Sequence, residues 1–143
     1  MKCTVNISSD REDEIQIFCK EKTKLIEKII ALAEEDSLEI TGICNDRTKI
    51  LDLSDIFFFV TENNRVYAVT EKERWALRQR LYKIEETLPS SFVKINQSCI
   101  ANINKIDCFR STFAGSMEVI FKNGETDYVS RRQLKKVKER LGL

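Results

Sequence analysis

The chain has no histidine, one proline and 4 glycines in 143 residues. Without histidine, Ser-His-Asp and Cys-His catalysis are excluded, and so are mixed Cys/His zinc sites. The cysteines, Cys3, Cys19, Cys44, Cys99 and Cys108, show no Cys-x-x-Cys spacing. A zinc site of cysteines alone would be badly spaced, and their odd number and scatter fit reduced, mostly buried thiols. Scarce glycine and proline leave no room for a flexible linker or a low-complexity tail. No apolar run approaches the roughly 20 residues of a membrane span, and the N-terminus lacks a signal-peptide apolar core. A cytoplasmic protein without cofactor or metal is expected.

What is present is charge and an ordinary apolar content. Charged residues make up 33% of the chain and hydrophobic residues 42%, a globular mixture. The length suits one domain with an added subdomain, or two small lobes. The net charge is only +1, but it is unevenly spread. Met1–Glu62 carries −6, Asn63–Leu88 +2 and Pro89–Leu143 +5. A basic last third can steer a polyanion to one end of the molecule. The plainer reading is solvated surface.

Residue periodicity predicts a β-rich α+β fold. Cys3, Val5 and Ile7 alternate with polar residues, as do Ile15, Ile17 and Cys19, so two strands are expected. Lys24–Glu35 changes to helical spacing, completing a β-β-α opening too small to bury a core alone. Leu38–Cys44 and Lys49–Leu53 predict a hairpin around Asn45-Asp46. Ile56–Thr61 and Arg65–Val69 predict another around Asn63-Asn64. Thr70…Glu73 has the form of a capping box opening a helix with Leu77, Leu81, Ile84 and Leu88 on one face, closed by Pro89. Then come a strand at Phe92–Ile95, a turn or short helix at Gln97–Ala101 and a strand near Ile103–Phe109. Met117–Phe121 and Thr126–Val129 flank Asn123-Gly124, the strongest hairpin signal in the chain. Ser130…Gln133 is a second capping box, before a helix burying Leu134, Val137 and Leu141.

Two places carry chemistry. Arg131 and Arg132 stand at the first positions of the last helix, where the free amides already present positive charge, at a cost of about 0.3–1 kcal/mol each. A phosphate at that helix start would reverse the cost, and arginine also suits a bidentate grip on guanine. The structural alternative is pairing with Glu125 or Asp127. Lys135, Lys136, Lys138 and Arg140 continue a basic face along the helix. The second place is Lys94-Ile95-Asn96-Gln97-Ser98, where amides can contact adenine and the lysine a phosphate. By composition alone it is a polar turn.

The run Phe92–Asn102 resembles the core motif of the LytTR family of bacterial DNA-binding domains. Phe121–Gly124 and Tyr128–Arg132 follow at the family's spacing, and the resemblance covers roughly Leu51–Leu143. It implies an elongated arrangement of short antiparallel sheets, with an N-terminal β-β-α subdomain at 1–44 and the DNA-binding domain at 45–143. It implies duplex DNA read in successive grooves by loops rather than by a recognition helix, and a homodimer on paired half-sites. By position, Asn64, Gln97 and Arg132 are the base-reading candidates. Lys94, Asn96, Ser98, Arg131 and Lys135 are the backbone candidates. Lys94 stands where arginine is frequent and Cys99 where an aromatic is usual. A receiver domain of some 120 residues does not fit in the chain, so control by aspartyl phosphorylation within it is not expected.

Three other readings compete. A β-rich protein-interaction module could use one face of the Phe57-Phe58-Phe59 strand as an interface, although burial on both sides is commoner. Catalysis has little support, because the carboxylate runs Asp10–Glu14 and Glu34–Asp36 lie in polar turns and at a helix end. RNA binding lacks an aromatic sheet motif for stacking bases.

Overall fold

The computed structural model describes residues 2–35, 39–113 and 115–142. Leu38 and Asp36, which fall in the expected first hairpin and the second acidic run, lie outside the described residues. Helix α1 (Lys24–Glu35) precedes a hairpin of β1 (Ile40–Cys44) and β2 (Arg47–Leu51). Strands β3 (Phe58–Glu62), β4 (Arg65–Val69) and β5 (Arg74–Leu77) lead to helix α2 (Leu81–Thr87). Next are β6 (Phe92–Asn96), β7 (Cys99–Asn102), β8 (Ile106–Ser111), β9 (Met117–Phe121) and β10 (Thr126–Val129), and α3 (Arg131–Leu141) closes the chain.

All pairing is antiparallel. One seven-stranded sheet has the order β2-β1-β5-β4-β3-β7-β6, and a three-stranded sheet the order β10-β9-β8. The tight turns are made by residues that tolerate positive φ. Asn45 and Asp46 stand at 47° and 66°, and Asn63 and Asn64 at 50° and 62°, the pattern of a two-residue turn matching strand twist. Gly42 lets the first hairpin close on β5, since a Cβ there would lie 2.6 Å from that of Trp75.

The central strands of the seven-stranded sheet are buried on both faces, whereas the outer strand β2 is largely exposed. Phe58, Val60, Val93, Ile95 and Ala101 pack with Met117, Val119, Phe121, Val129 and Val137, beneath the smaller sheet and α3. Phe58 and Phe121 stack with ring centroids 4.5 Å apart. Phe59, Val66, Trp75 and Ile100 form the opposite core with Leu81 and Ile84 of α2. The phenylalanine run therefore feeds two cores, and neither face is left open as an interface.

Five expectations need correction. The thiols are not mostly buried, since Cys3, Cys19 and Cys108 are exposed and Cys99 is the buried one. Gln97–Ala101 is not a turn or short helix throughout, because from Cys99 the chain pairs with β3 and β6 as β7. Residues 2–23 form no strand, so the opening is irregular chain followed by α1 rather than β-β-α. A pair of five-residue strands is marginal alone, and among the described residues no sheet edge takes them up. Thr70 and Glu73 do not cap a helix. The Thr70 amide and hydroxyl both donate to the Glu73 carbonyl, at 2.9 and 3.1 Å, closing a turn between β4 and β5. Pairing Arg74–Leu77 with Val66–Val69 satisfies more backbone than a helix start there, and α2 begins only at Leu81. Ser130 does occupy the cap of α3, but its side chain makes no cap hydrogen bond.

Candidate nucleic-acid interface

Asn64 and Gln97 lie in two turns that leave the same end of the seven-stranded sheet. The turn at Asn63-Asn64 joins β3 to β4, and that at Gln97-Ser98 joins β6 to β7. Val60 pairs with Cys99, and the Thr61 amide donates to the Ser98 carbonyl at 2.8 Å, so the turns are adjacent. Both carry exposed side chains at Asn64, Gln97 and Ser98.

The start of α3 is tied to this end by backbone and amide bonds. The Ser130 amide donates to the Ile95 carbonyl at 2.9 Å, on the outer edge of β6. The Asn96 amide group donates to the Tyr128 carbonyl at 2.8 Å and to the Asp127 carboxylate at 2.9 Å. Its oxygen accepts from the Ser98 amide at 2.8 Å. One side chain thus fixes the Gln97-Ser98 turn against Asp127 and Tyr128 of β10, from which α3 springs.

This removes Asn96 from the backbone-contact candidates. It is 3% exposed and its donors and acceptor are engaged, so it positions the interface from beneath. Nothing in the sequence distinguishes it from the exposed Gln97 beside it, because the burial comes from β10. Cys99 lies under the same turn. Burial pushes its thiol well above the ordinary 9.0, and the charge of Asp127 and a hydrogen bond to it add to the shift. Asp127, offered by the sequence only as a partner for an arginine, is a scaffold member whose carboxylate also accepts from the Tyr128 amide.

The cations are placed as follows. Arg131, Arg132 and Lys135 are exposed on the first turns of α3, and Lys94 is half-buried with its ammonium 3.7 Å from Glu85. Arg132 forms no ion pair among the described residues. Glu125 pairs instead with Arg74, which also binds Glu62 at 3.0 Å. The α3 helix buries Val137 and half-buries Leu134 and Leu141, so its basic residues face outward. Together the edge presents amide groups on two turns and guanidinium groups at a helix start. That set can contact bases and phosphates. Among the described residues no group of His, Cys, Asp or Glu is placed to hold a metal ion, and no helix is long and apolar enough to cross a membrane.

The comparisons with known proteins agree on this region. A family model described as the LytTr DNA-binding domain matches residues 46–142. An uncharacterized HTH-type transcriptional regulator of Staphylococcus aureus strain MSSA476 is 30% identical over 146 residues, covering 100% of this chain and 99% of the relative. Its counterpart in strain NCTC 8325 / PS 47 is 29% identical over 138 residues, covering 95% and 94%. A solved LytTr DNA-binding domain from Bacillus cereus superimposes with a TM-score of 0.70 at 22% identity, covering 73% of this chain and 97% of that one. Despite the relatives' name, strands separate every two successive helices among the described residues, and no helix-turn-helix is formed.

Proposed function

Because the chain belongs to the LytTR family of DNA-binding domains, we propose that it is a bacterial transcription regulator acting in the cytoplasm. It binds sequence-specifically to duplex DNA as a homodimer on paired half-sites. Asn64 and Gln97 read base edges from the two turns, and Arg132 reads guanine from the start of α3. Lys94, Ser98, Arg131 and Lys135 hold the sugar–phosphate backbone and set the register. The N-terminal part, residues 1–44, serves assembly or regulation, and residues 45–143 serve DNA binding. The hairpin from Ile40 to Leu51 spans that boundary, so the two parts share one sheet.

The observation that carries this reading is the bonding of both turns and the helix start to one another at one end of the sheet. The phenylalanine run, the main apolar candidate for a protein-docking face, is used up in the two cores. No catalytic role is assigned.

Selection of bound duplexes from a random pool tests the reading. The chain is expected to enrich a paired motif, bound in the nanomolar range at physiological salt. Arg132→Ala is expected to lose preference at one position of each half-site, at about 1–3 kcal/mol. Failure of the unmodified chain to enrich any motif would end the proposal.

A further inference from the structure

Residues 2–23 keep an alternating apolar pattern that has no partner strand among the described residues. Val5, Ile7, Ile15 and Phe18 are exposed, and α1 behind them leaves Leu25 and Leu32 exposed as well. A strand-like alternation of apolar side chains on backbone left out of the sheets is a segment able to pair with another strand. The residues around Ile17 indicate which strand.

The stretch Arg11–Lys22 reads R-E-D-E-I-Q-I-F-C-K-E-K, and it is self-complementary about Ile17. If two copies run antiparallel with Ile17 on a two-fold axis, Glu14 faces the partner's Lys20 and Glu12 faces the partner's Lys22. By symmetry each pair occurs twice, and opposite charges directly across a sheet attract. Asp13 facing the partner's Glu21 is the one like-charge match. Ile15 faces the partner's Cys19 and Ile17 faces the partner's Ile17, which gathers six apolar side chains on one face of the new ribbon. Gln16 and Phe18 meet on the other face. The exposed leucines of α1 offer the apolar face a cover in each copy.

We propose that Ile15–Cys19 is a dimerisation strand, pairing antiparallel with the same strand of a second copy of this chain about Ile17. This names the interface of the homodimer put forward above and rests on that reading for its role on DNA. The register is what distinguishes a second copy from any other occupant, since only self-pairing makes the charge matches follow from this chain's own sequence.

Sedimentation of the full chain over a range of micromolar concentrations tests the inference. The unmodified chain is expected to dimerise, and Glu14→Lys or Lys20→Glu to weaken the dimer by about tenfold each. The double variant Glu14→Lys/Lys20→Glu is expected to restore it, because the swapped charges face each other again. Both positions are exposed, so the circular dichroism spectrum should not change. In a chain with Cys3, Cys19 and Cys108 changed to serine, Ile17→Cys should form an intermolecular disulfide on mild oxidation, and Gln16→Cys should do so far less. A double variant as weak as the singles, equal cross-linking at both positions, or a monomer at every concentration overturns the proposal. A dimer that behaves as expected but enriches no DNA motif overturns the DNA-binding reading and leaves this interface standing.

Discussion

The Asn96 amide connects three segments: its own strand, the Gln97-Ser98 turn and the end of β10. Truncating it removes three hydrogen bonds in a partly buried site, which costs on the order of 1–3 kcal/mol. Asn96→Ala is therefore expected to lower the melting temperature by roughly 3–10 °C in a thermal melt. Arg132→Ala, on an exposed helix turn, should stay within about 0.5 kcal/mol of the unmodified chain. An equal loss in both would contradict the division between a positioning amide and a reading guanidinium. Cys99 makes a second prediction at this scale. Its thiol keeps its proton in the folded state at a pH where the unfolded chain loses it. Its contribution to stability is thus fully present below pH 9.0 and declines as pH rises above it. Urea titrations from pH 7 to 10 should show that decline, and Cys99→Ala should reduce it. Alkylation at pH 8 should label the exposed Cys3 and Cys108 and spare Cys99.

At the scale of elements, turns do the presenting and strands do the holding. Asn64 has φ of 62°, so its backbone conformation and its side chain can be tested apart. Asn64→Gly keeps the left-handed turn and removes the amide, so it should preserve the melting temperature while erasing base preference at one end of the site. Asn64→Val should cost about 1–2 kcal/mol through the turn itself. If the glycine variant selected the same motif as the unmodified chain, Asn64 would not be a reader. The α3 helix is held in the same manner, by the Ser130 amide on Ile95 and by Val137 in the core, which leaves its first turn open outward.

For the whole molecule, the uneven charge sets how binding responds to salt. The segment Pro89–Leu143 carries +5 and supplies most of the proposed contacts, whereas Met1–Glu62 carries −6. Binding measured by fluorescence anisotropy on a selected duplex should weaken steeply as salt rises. Lys135→Ala should reduce the slope of log K against log salt by about one, because one phosphate contact is lost. Lys49→Ala, on the outer strand β2 far in sheet order from the two turns, should leave that slope unchanged. A slope insensitive to Lys135 but sensitive to Lys49 would move the DNA to the other end of the sheet.

The sequence by itself determined the elements whose signals are local. Arg65–Val69, Met117–Phe121 and Thr126–Val129 form with the bounds expected, and Asn45-Asp46, Asn63-Asn64 and Gly124 turn where their backbone preferences allow. The family motif likewise placed Asn64, Gln97 and Arg132 on turns and a helix start, because those positions follow from local chain chemistry. Only the tertiary structure decided matters that depend on a distant partner. Cys3–Ile7 and Ile15–Cys19 alternate as strands do, but alternation specifies a face and not a neighbour, and the described residues supply none. Thr70…Glu73 suits a helix cap, yet β4 offers its neighbour a full set of backbone bonds and Arg74–Leu77 takes them. Asn96 and Gln97 are adjacent amides in one motif, and β10, arriving 31 residues later, buries the first and leaves the second exposed. Short-range preference fixes conformation, whereas burial and charge pairing depend on which remote segment arrives.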